Sequence, residues 1–203
     1  IDINYKQINN LKQDGLVEYN CALELYVFKD RNYDKILEIL GKKPKNNLGI
    51  IIEFFQKQPK VLKYKINKDA INVHGSVCVE NDDYTELPFS FGDISGDFIF
   101  KNCNLVTLKG SPKTVGGYFD VSHNFLIDLV DGPIHVGKSY DCSYNDLITL
   151  KGSPAIIKGD FNCSNNNLTE LKNGPSKIFG FMDCTKNKLK ANSNTGTKGW
   201  GRS

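Results

Sequence analysis

The sequence predicts an α/β solenoid. This is an array of short parallel strands with an extended, polyproline-like convex side and a mainly helical N-terminal cap. Three observations predict it. One 21-residue sentence is written four times from Leu105: LVTLKGSPKTVGGYFDVSHNF, LIDLVDGPIHVGKSYDCSYND, LITLKGSPAIIKGDFNCSNNN and LTELKNGPSKIFGFMDCTKNK. A fixed period in this range marks stacked repeats. Each copy also holds a short period-two stretch, such as Phe161 and Cys163 in GDFNCS, which reads as a strand with one inward face. The other half of each copy carries Pro112, Pro133, Pro154 or Pro175, which rules out a regular helix interior there.

The first element is the cap, residues 1–62, which shows no repeat. Leu16 to Phe28 mixes alternation with helix-like spacing, so its type stays open. Asp34 to Leu40 reads as a helix with Ile36, Leu37, Ile39 and Leu40 as its apolar stripe and Gly41 as its stop. Asn47 caps a second helix through Ile50, Ile51, Phe54 and Phe55, which Pro59 ends. The segment is expected to cover the open end of the array, where a bare repeat would expose apolar surface and strand edges. A partner site of its own is the alternative.

The second element is the array, residues 63–190. Counting back 21 residues keeps the phase: Tyr84, Leu87, Ile94, Phe98 and Phe100 match Leu105, Leu108, Val115, Phe119 and Val121. One step earlier, Ile66, Val73, Val77 and Val79 still match. Six units are therefore expected, starting at Lys63, Tyr84, Leu105, Leu126, Leu147 and Leu168. The first two are degenerate, as terminal repeats are. The first inward strand column is Val77, Phe98, Phe119, Tyr140, Phe161, Met182, and the second is Val79, Phe100, Val121, Cys142, Cys163, Cys184. Asn124, Asn145, Asn166 and Asn187 form a third column, able to satisfy loop backbone groups because asparagine both donates and accepts. Asp82 and Cys103 hold that place in the earlier copies, so the ladder should weaken toward the N-terminal side. A glycine column (Gly75, Gly96, Gly117, Gly159, Gly180) marks a bend or close backbone approach, and Lys138 breaks it. The last element, residues 191–203, is Gly/Ser/Asn-rich and reads as a flexible tail, with Trp200 able to dock.

Composition narrows the function classes. The chain has 203 residues, 26 basic and 23 acidic, with a net charge of +3, so no basic field points to nucleic acid. No apolar run approaches the roughly 18 residues of a membrane span, and the first residues show no leader pattern. Cys142, Cys163 and Cys184 recur at the repeat spacing, which reads as a packed column of small apolar thiols and a reducing, cytoplasmic compartment. Redox or metal chemistry is the lesser alternative, because no CxxC or HxxxH pair supports it. No cofactor or metal is expected.

Taken together, the leucines at each unit start, the inward strand pair, the asparagine three residues later and the leucine after it resemble the leucine-rich-repeat pattern LxxLxLxxNxL. The proline-bearing half is similar to the short repeats of bacterial effectors. The GDFxCSxN wording resembles leucine-rich-repeat proteins of large tailed bacteriophages. The resemblance implies a parallel-strand solenoid that binds macromolecules on its concave face.

One motif points elsewhere. Gly132 to Ser139 (GPIHVGKS) matches the phosphate-binding loop GxxxxGK[ST] letter for letter. That loop needs a strand before it and a helix after it. Here Val136 is a core position and Tyr140 and Cys142 continue as strand, so nucleotide binding and enzyme activity are not expected.

The strand residues facing away from the core are the candidate site. One column is Asp97, Tyr118, Ser139, Asp160, Phe181, and the next is Ile99, Asp120, Asp141, Asn162, Asp183. Lys101, Ser122, Ser143, Ser164 and Thr185 are expected to form a third, with Asn102, His123, Tyr144, Asn165 and Lys186 at the rim. Acidic neighbours about 4.8 Å apart beside tyrosine and phenylalanine have the composition of a face for a basic protein partner. Such a stripe repels nucleic-acid phosphates. The plainer alternative is that the aspartates only keep the strand face soluble. The function expected is non-enzymatic protein recognition by a monomer, such as a bacteriophage or bacterial factor acting on a host protein in the cytoplasm. A structural, self-assembling role is the rival.

Overall fold

In the computed structural model, the described residues are 70–190, with 60–66, 54–58, Ile51 and the backbone of two strands nearer the start. The chain divides into two compact units, Ile1–Lys63 and Tyr64–Ser203, each described by itself.

In the first unit, β1 (Val17–Asn20) and β2 (Leu25–Phe28) pair antiparallel, with Val17 opposite Phe28 and Asn20 opposite Leu25. The described parts of the stretch whose periodicity left the type open are thus strand, in keeping with their valines and aromatics. Helix among the described residues of this unit is limited to Ile51 and 54–56, with Ile51, Phe54 and Phe55 buried. The expectation of a mainly helical cap is therefore not supported. The helix expected over Asp34 to Leu40 lies outside the described residues.

The second unit is a parallel β-solenoid with no helix among its described residues, so the class is all-β where α/β was expected. The strands are β3 (Val61–Ile66), β4 (Ile71–Gly75), β5 (Val77–Glu80), β6 (Phe91–Ile94), β7 (Phe98–Lys101), β8 (Thr114–Val115) and β9 (Phe119–Asp120). They continue with β10 (His135–Val136), β11 (Tyr140–Asp141), β12 (Ile156–Ile157), β13 (Phe161–Asn162), β14 (Lys177–Ile178) and β15 (Met182–Asp183). One six-stranded sheet runs β15-β13-β11-β9-β7-β5, one strand for each expected unit, and equivalent residues 21 positions apart pair in parallel register. A second sheet runs β14-β12-β10-β8-β6-β4-β3. The half of each unit expected to be polyproline-like therefore forms a second ladder. Its prolines are buried and sit just before each short strand, so the missing N–H falls outside the ladder. His135 N–H donates to Lys113 O at 3.2 Å and Gly137 N–H to Val115 O at 2.8 Å.

The core lies between the two sheets. Val77, Phe98, Phe119, Tyr140 and Phe161 are all sealed from solvent, and the leucines at 105, 126, 147 and 168 close the third side. Ring contacts run along the array: Phe98 stacks on Phe119 at 5.5 Å, Phe119 meets Tyr140 at 4.7 Å, and Tyr140 meets Phe161 edge-on at 5.7 Å. Such pairs add to plain area burial. The asparagine column behaves as expected. Asn124 Oδ1 accepts the N–H groups of Cys103 and Leu105 at 3.0 and 2.9 Å, while its Nδ2 donates to the carbonyls of Phe100, Val121 and Ser122. Asn145, Asn166 and Asn187 repeat the pattern. Where Cys103 replaces asparagine, only its thiol remains, donating to Lys101 O at 3.2 Å and Val79 O at 3.6 Å.

Strand length follows from one residue per unit. β5 and β7 are four residues long, and their second positions are Cys78 and Ile99. β9, β11, β13 and β15 are two residues long, and their second positions are Asp120, Asp141, Asn162 and Asp183. Each of these side chains accepts the N–H two residues on, at 2.9 Å for Ser122, Ser143 and Thr185 and 3.1 Å for Ser164. That Asx turn competes with further strand.

Candidate functional site

The outward face of the six-stranded sheet carries the predicted columns, and much of their chemistry is spent inside the fold. In the first column, each side-chain oxygen accepts the N–H that begins the next turn. Ser76 Oγ takes Asp97 N–H at 2.9 Å, Asp97 Oδ1 takes Tyr118 N–H at 2.9 Å, Ser139 Oγ takes Asp160 N–H at 3.0 Å, and Asp160 Oδ1 takes Phe181 N–H at 2.8 Å. These oxygens explain the glycine column. A Cβ on Gly96, Gly117, Gly159 or Gly180 would collide with Ser76, Asp97, Ser139 or Asp160 respectively, and with the neighbouring backbone. Close approach is thus the reason for these glycines. Tyr118 has no carboxylate or short hydroxyl to offer the next turn, and in that next turn the column holds Lys138. The break in the glycine column and the break in the oxygen column are one event. Lys138 Nζ lies 4.7 Å from the centroid of the Tyr118 ring, within cation–π range.

In the second column, Asp120, Asp141 and Asn162 are half-buried and Asp183 is exposed. Asp120 pairs in register with Asp141. Asp141 is fully engaged: Oδ1 also accepts the Ser143 hydroxyl at 2.6 Å, and Oδ2 accepts Asn162 Nδ2 at 3.1 Å. Ile99, also half-buried, packs in the sheet beside Asp120 and brings no charge. None of Asp97, Asp120, Asp141, Asp160 and Asp183 makes an ion pair with a lysine or arginine among the described residues.

The expected third column is a correction. Ser122, Ser143 and Ser164 are buried, at 2%, 3% and 4% exposure, because strand alternation ends at the Asx turn two residues earlier. The rim is where the expectation understated the site. Asn81, Asn102, His123, Tyr144, Asn165 and Lys186 all adopt left-handed backbone, φ between 52° and 57°. Asparagine, and next to it histidine, takes this conformation readily, whereas tyrosine and lysine pay for it. The His123 and Tyr144 rings stack at 4.3 Å and 9° while both residues stay exposed. Tyr118, Tyr144 and Phe181 are the exposed aromatics of the predicted set. His123 and Lys138 were legible as departures from the repeat, since their columns otherwise favour asparagine and glycine.

The phosphate-loop match has no cradle. The donors such a loop would aim at phosphate are taken: Gly137 N–H by Val115 O, Lys138 N–H by Gly117 O, and Tyr140 N–H by Asp160 O. Ser139 Oγ serves Asp160, and strand follows where a helix would be needed. The thiols are no better placed for chemistry. Burial pushes Cys142 and Cys163 well above the ordinary thiol range, with neighbouring Cys163 and Cys184 adding to the shift. No group of three or more metal-binding side chains occurs among the described residues, and none of their helices is long and apolar enough to cross a membrane. No protein-family model matches this chain, and neither a curated protein nor a solved structure shows significant similarity to it.

Proposed function

We propose that the array is a non-enzymatic recognition module of the leucine-rich-repeat type, binding a basic protein partner on the outward face of its six-stranded sheet. The carrying observation is charge left open. Five aspartates face outward across successive turns with no cation paired to them, and Tyr118, Tyr144 and Phe181 stand exposed among them. Aromatic anchors among complementary charges are the usual makings of a protein-binding surface. The departures from the repeat support the same reading. Tyr118, Lys138, His123 and Tyr144 fall in two neighbouring turns near the middle of the array, and Tyr144 holds a left-handed backbone that is costly for a tyrosine. Strain kept on an exposed surface is a hallmark of function. Free thiols at Cys103, Cys142, Cys163 and Cys184 support a reducing compartment, the cytoplasm, including that of a host if the chain is viral.

The test is capture of partner proteins from the native host by the wild-type chain and by Asp120→Asn/Asp141→Asn/Asp183→Asn, with identification by mass spectrometry. Asparagine is the right replacement because Asn162 already makes the same turn in this column. The triple variant should keep the circular dichroism spectrum and lose the salt-sensitive partner. Undiminished capture of that partner by the variant refutes the face.

A further inference from the structure

We propose that Asp120 and Ser122 form a subsite that reads the guanidinium of an arginine in the partner protein. This rests on the reading of the six-stranded face as a protein-binding surface and deepens it to one side chain. Four turns are equivalent; in that of Asp183 the Thr185 N–H alone is bonded and Thr185 is exposed, whereas the serines of the other three are buried. In the turn of Asp141, the Ser143 hydroxyl donates to Oδ1 at 2.6 Å and Asn162 Nδ2 donates to Oδ2 at 3.1 Å. In the turn of Asn162, the Ser164 hydroxyl donates to Oδ1 at 2.8 Å. In the turn of Asp120, the Ser122 N–H alone is bonded, to Oδ1 at 2.9 Å. The Ser122 side chain is 2% exposed, and its hydroxyl has no hydrogen-bond partner. It is nonetheless not among the fully sealed side-chain oxygens that lack a partner, which among the described residues are those of Ser111 and Tyr140, so a little of it meets the surface. A buried hydroxyl without a partner is costly unless something outside the chain completes it. Asp120 Oδ2 is likewise open, since no cation and no amide is bonded to it.

The surroundings select the ligand. Along the turn, Tyr118, under the Lys138 ammonium, precedes Asp120 by two residues, and His123, whose ring stacks on Tyr144, follows it by three. Guanidinium is flat, stacks on aromatic faces and donates several hydrogen bonds in one plane. It can donate to Asp120 Oδ2 and to Ser122 Oγ together while its plane lies against the His123–Tyr144 side. Lysine, a compact and strongly hydrated charge, satisfies fewer of these contacts. The Lys138 ammonium already covers the Tyr118 ring, so the approach is from the His123 side.

The experiment titrates N-acetyl-arginine N-methylamide into the ¹⁵N-labelled full chain and follows the amides of Asp120, Ser122 and His123. Saturable shifts at these amides are expected. The citrulline counterpart, equal in shape but uncharged, should leave them unmoved. Asp120→Asn, which keeps the turn, should weaken binding at least tenfold, and Ser122→Ala should weaken it severalfold. No saturable shift at these amides, equal binding of the citrulline compound, or unchanged binding by Asp120→Asn each overturns the subsite. The two proposals fail separately. Arginine binding here together with undiminished partner capture by the face variant would leave the subsite standing and remove the face. Loss of capture without arginine binding would do the reverse.

Discussion

Tyr140 places a hydroxyl where its column neighbours Phe119 and Phe161 have none. The residue is sealed from solvent, and the hydroxyl has no hydrogen-bond partner. It lies beside Gly132, where an added Cβ would touch the hydroxyl oxygen at 3.5 Å and crowd Leu129 O and Leu108; the flanking turns hold Ser111 and Ser153 at that position. An unsatisfied buried polar group costs about 1–3 kcal/mol. Tyr140→Phe should therefore stabilise the protein by about 1 kcal/mol, read as a higher urea midpoint at unchanged slope. A lower midpoint would mean that the hydroxyl has a partner after all. The aromatic period made this ring legible as core, but the fate of one oxygen was not, because it depends on a residue eight positions away in the same turn. The rim shows the same limit. His123 and Tyr144 could be placed there by counting, but the left-handed backbone they share with Asn102 and Asn165 could not.

At the scale of a strand and its turn, the unit is a set of coupled choices. Asp or Asn at the second outward position shortens the strand to two residues, while Cys78 or Ile99 there lets it run to four. Period-two alternation named the inward residues correctly and then misplaced Ser122, Ser143 and Ser164, because it assumed the strand continued through the turn. The glycine column was legible as close approach, and its reason became visible only with the oxygen column beside it. That pairing predicts a double-mutant cycle. Tyr118→Asp alone should destabilise, because the new carboxylate would seek the Ser139 N–H through the space of the Lys138 Cβ, as Asp97 would collide with a Cβ on Gly117. Adding Lys138→Gly should recover most of that loss, giving a coupling of about 1–2 kcal/mol between residues in contact. Effects that simply add, within about 0.5 kcal/mol, would dissolve the link between the two columns.

For the whole molecule, the repeat spacing was enough to number the units and to stack them in register, because every turn contacts only its neighbours. It did not reveal the second sheet, since four of its seven strands, β8, β10, β12 and β14, are two residues long after a proline and leave almost no periodic signal. Stacking also concentrates one chemical group. Cys142 and Cys163 hold the same position in successive turns, both sealed from solvent, where earlier turns have Val79 and Val121. Burial raises both thiols well above the ordinary thiol range, chiefly by penalising the thiolate. The sign follows from proton counting. Below the unfolded thiol range, about 8.5, folded and unfolded chains both hold these protons and stability is at its full value. Above it, the unfolded chain releases them while the folded chain keeps them, so stability falls by up to about 1.4 kcal/mol per pH unit for each thiol. Urea midpoints measured between pH 7.5 and 10.5 should therefore drop steeply for the wild-type chain. Cys142→Val/Cys163→Val, which copies the residue that Val79 and Val121 place in this column, should fold and should lose much less over the same range. Equal losses in both proteins would place the alkaline sensitivity elsewhere and leave the thiol column without influence on it.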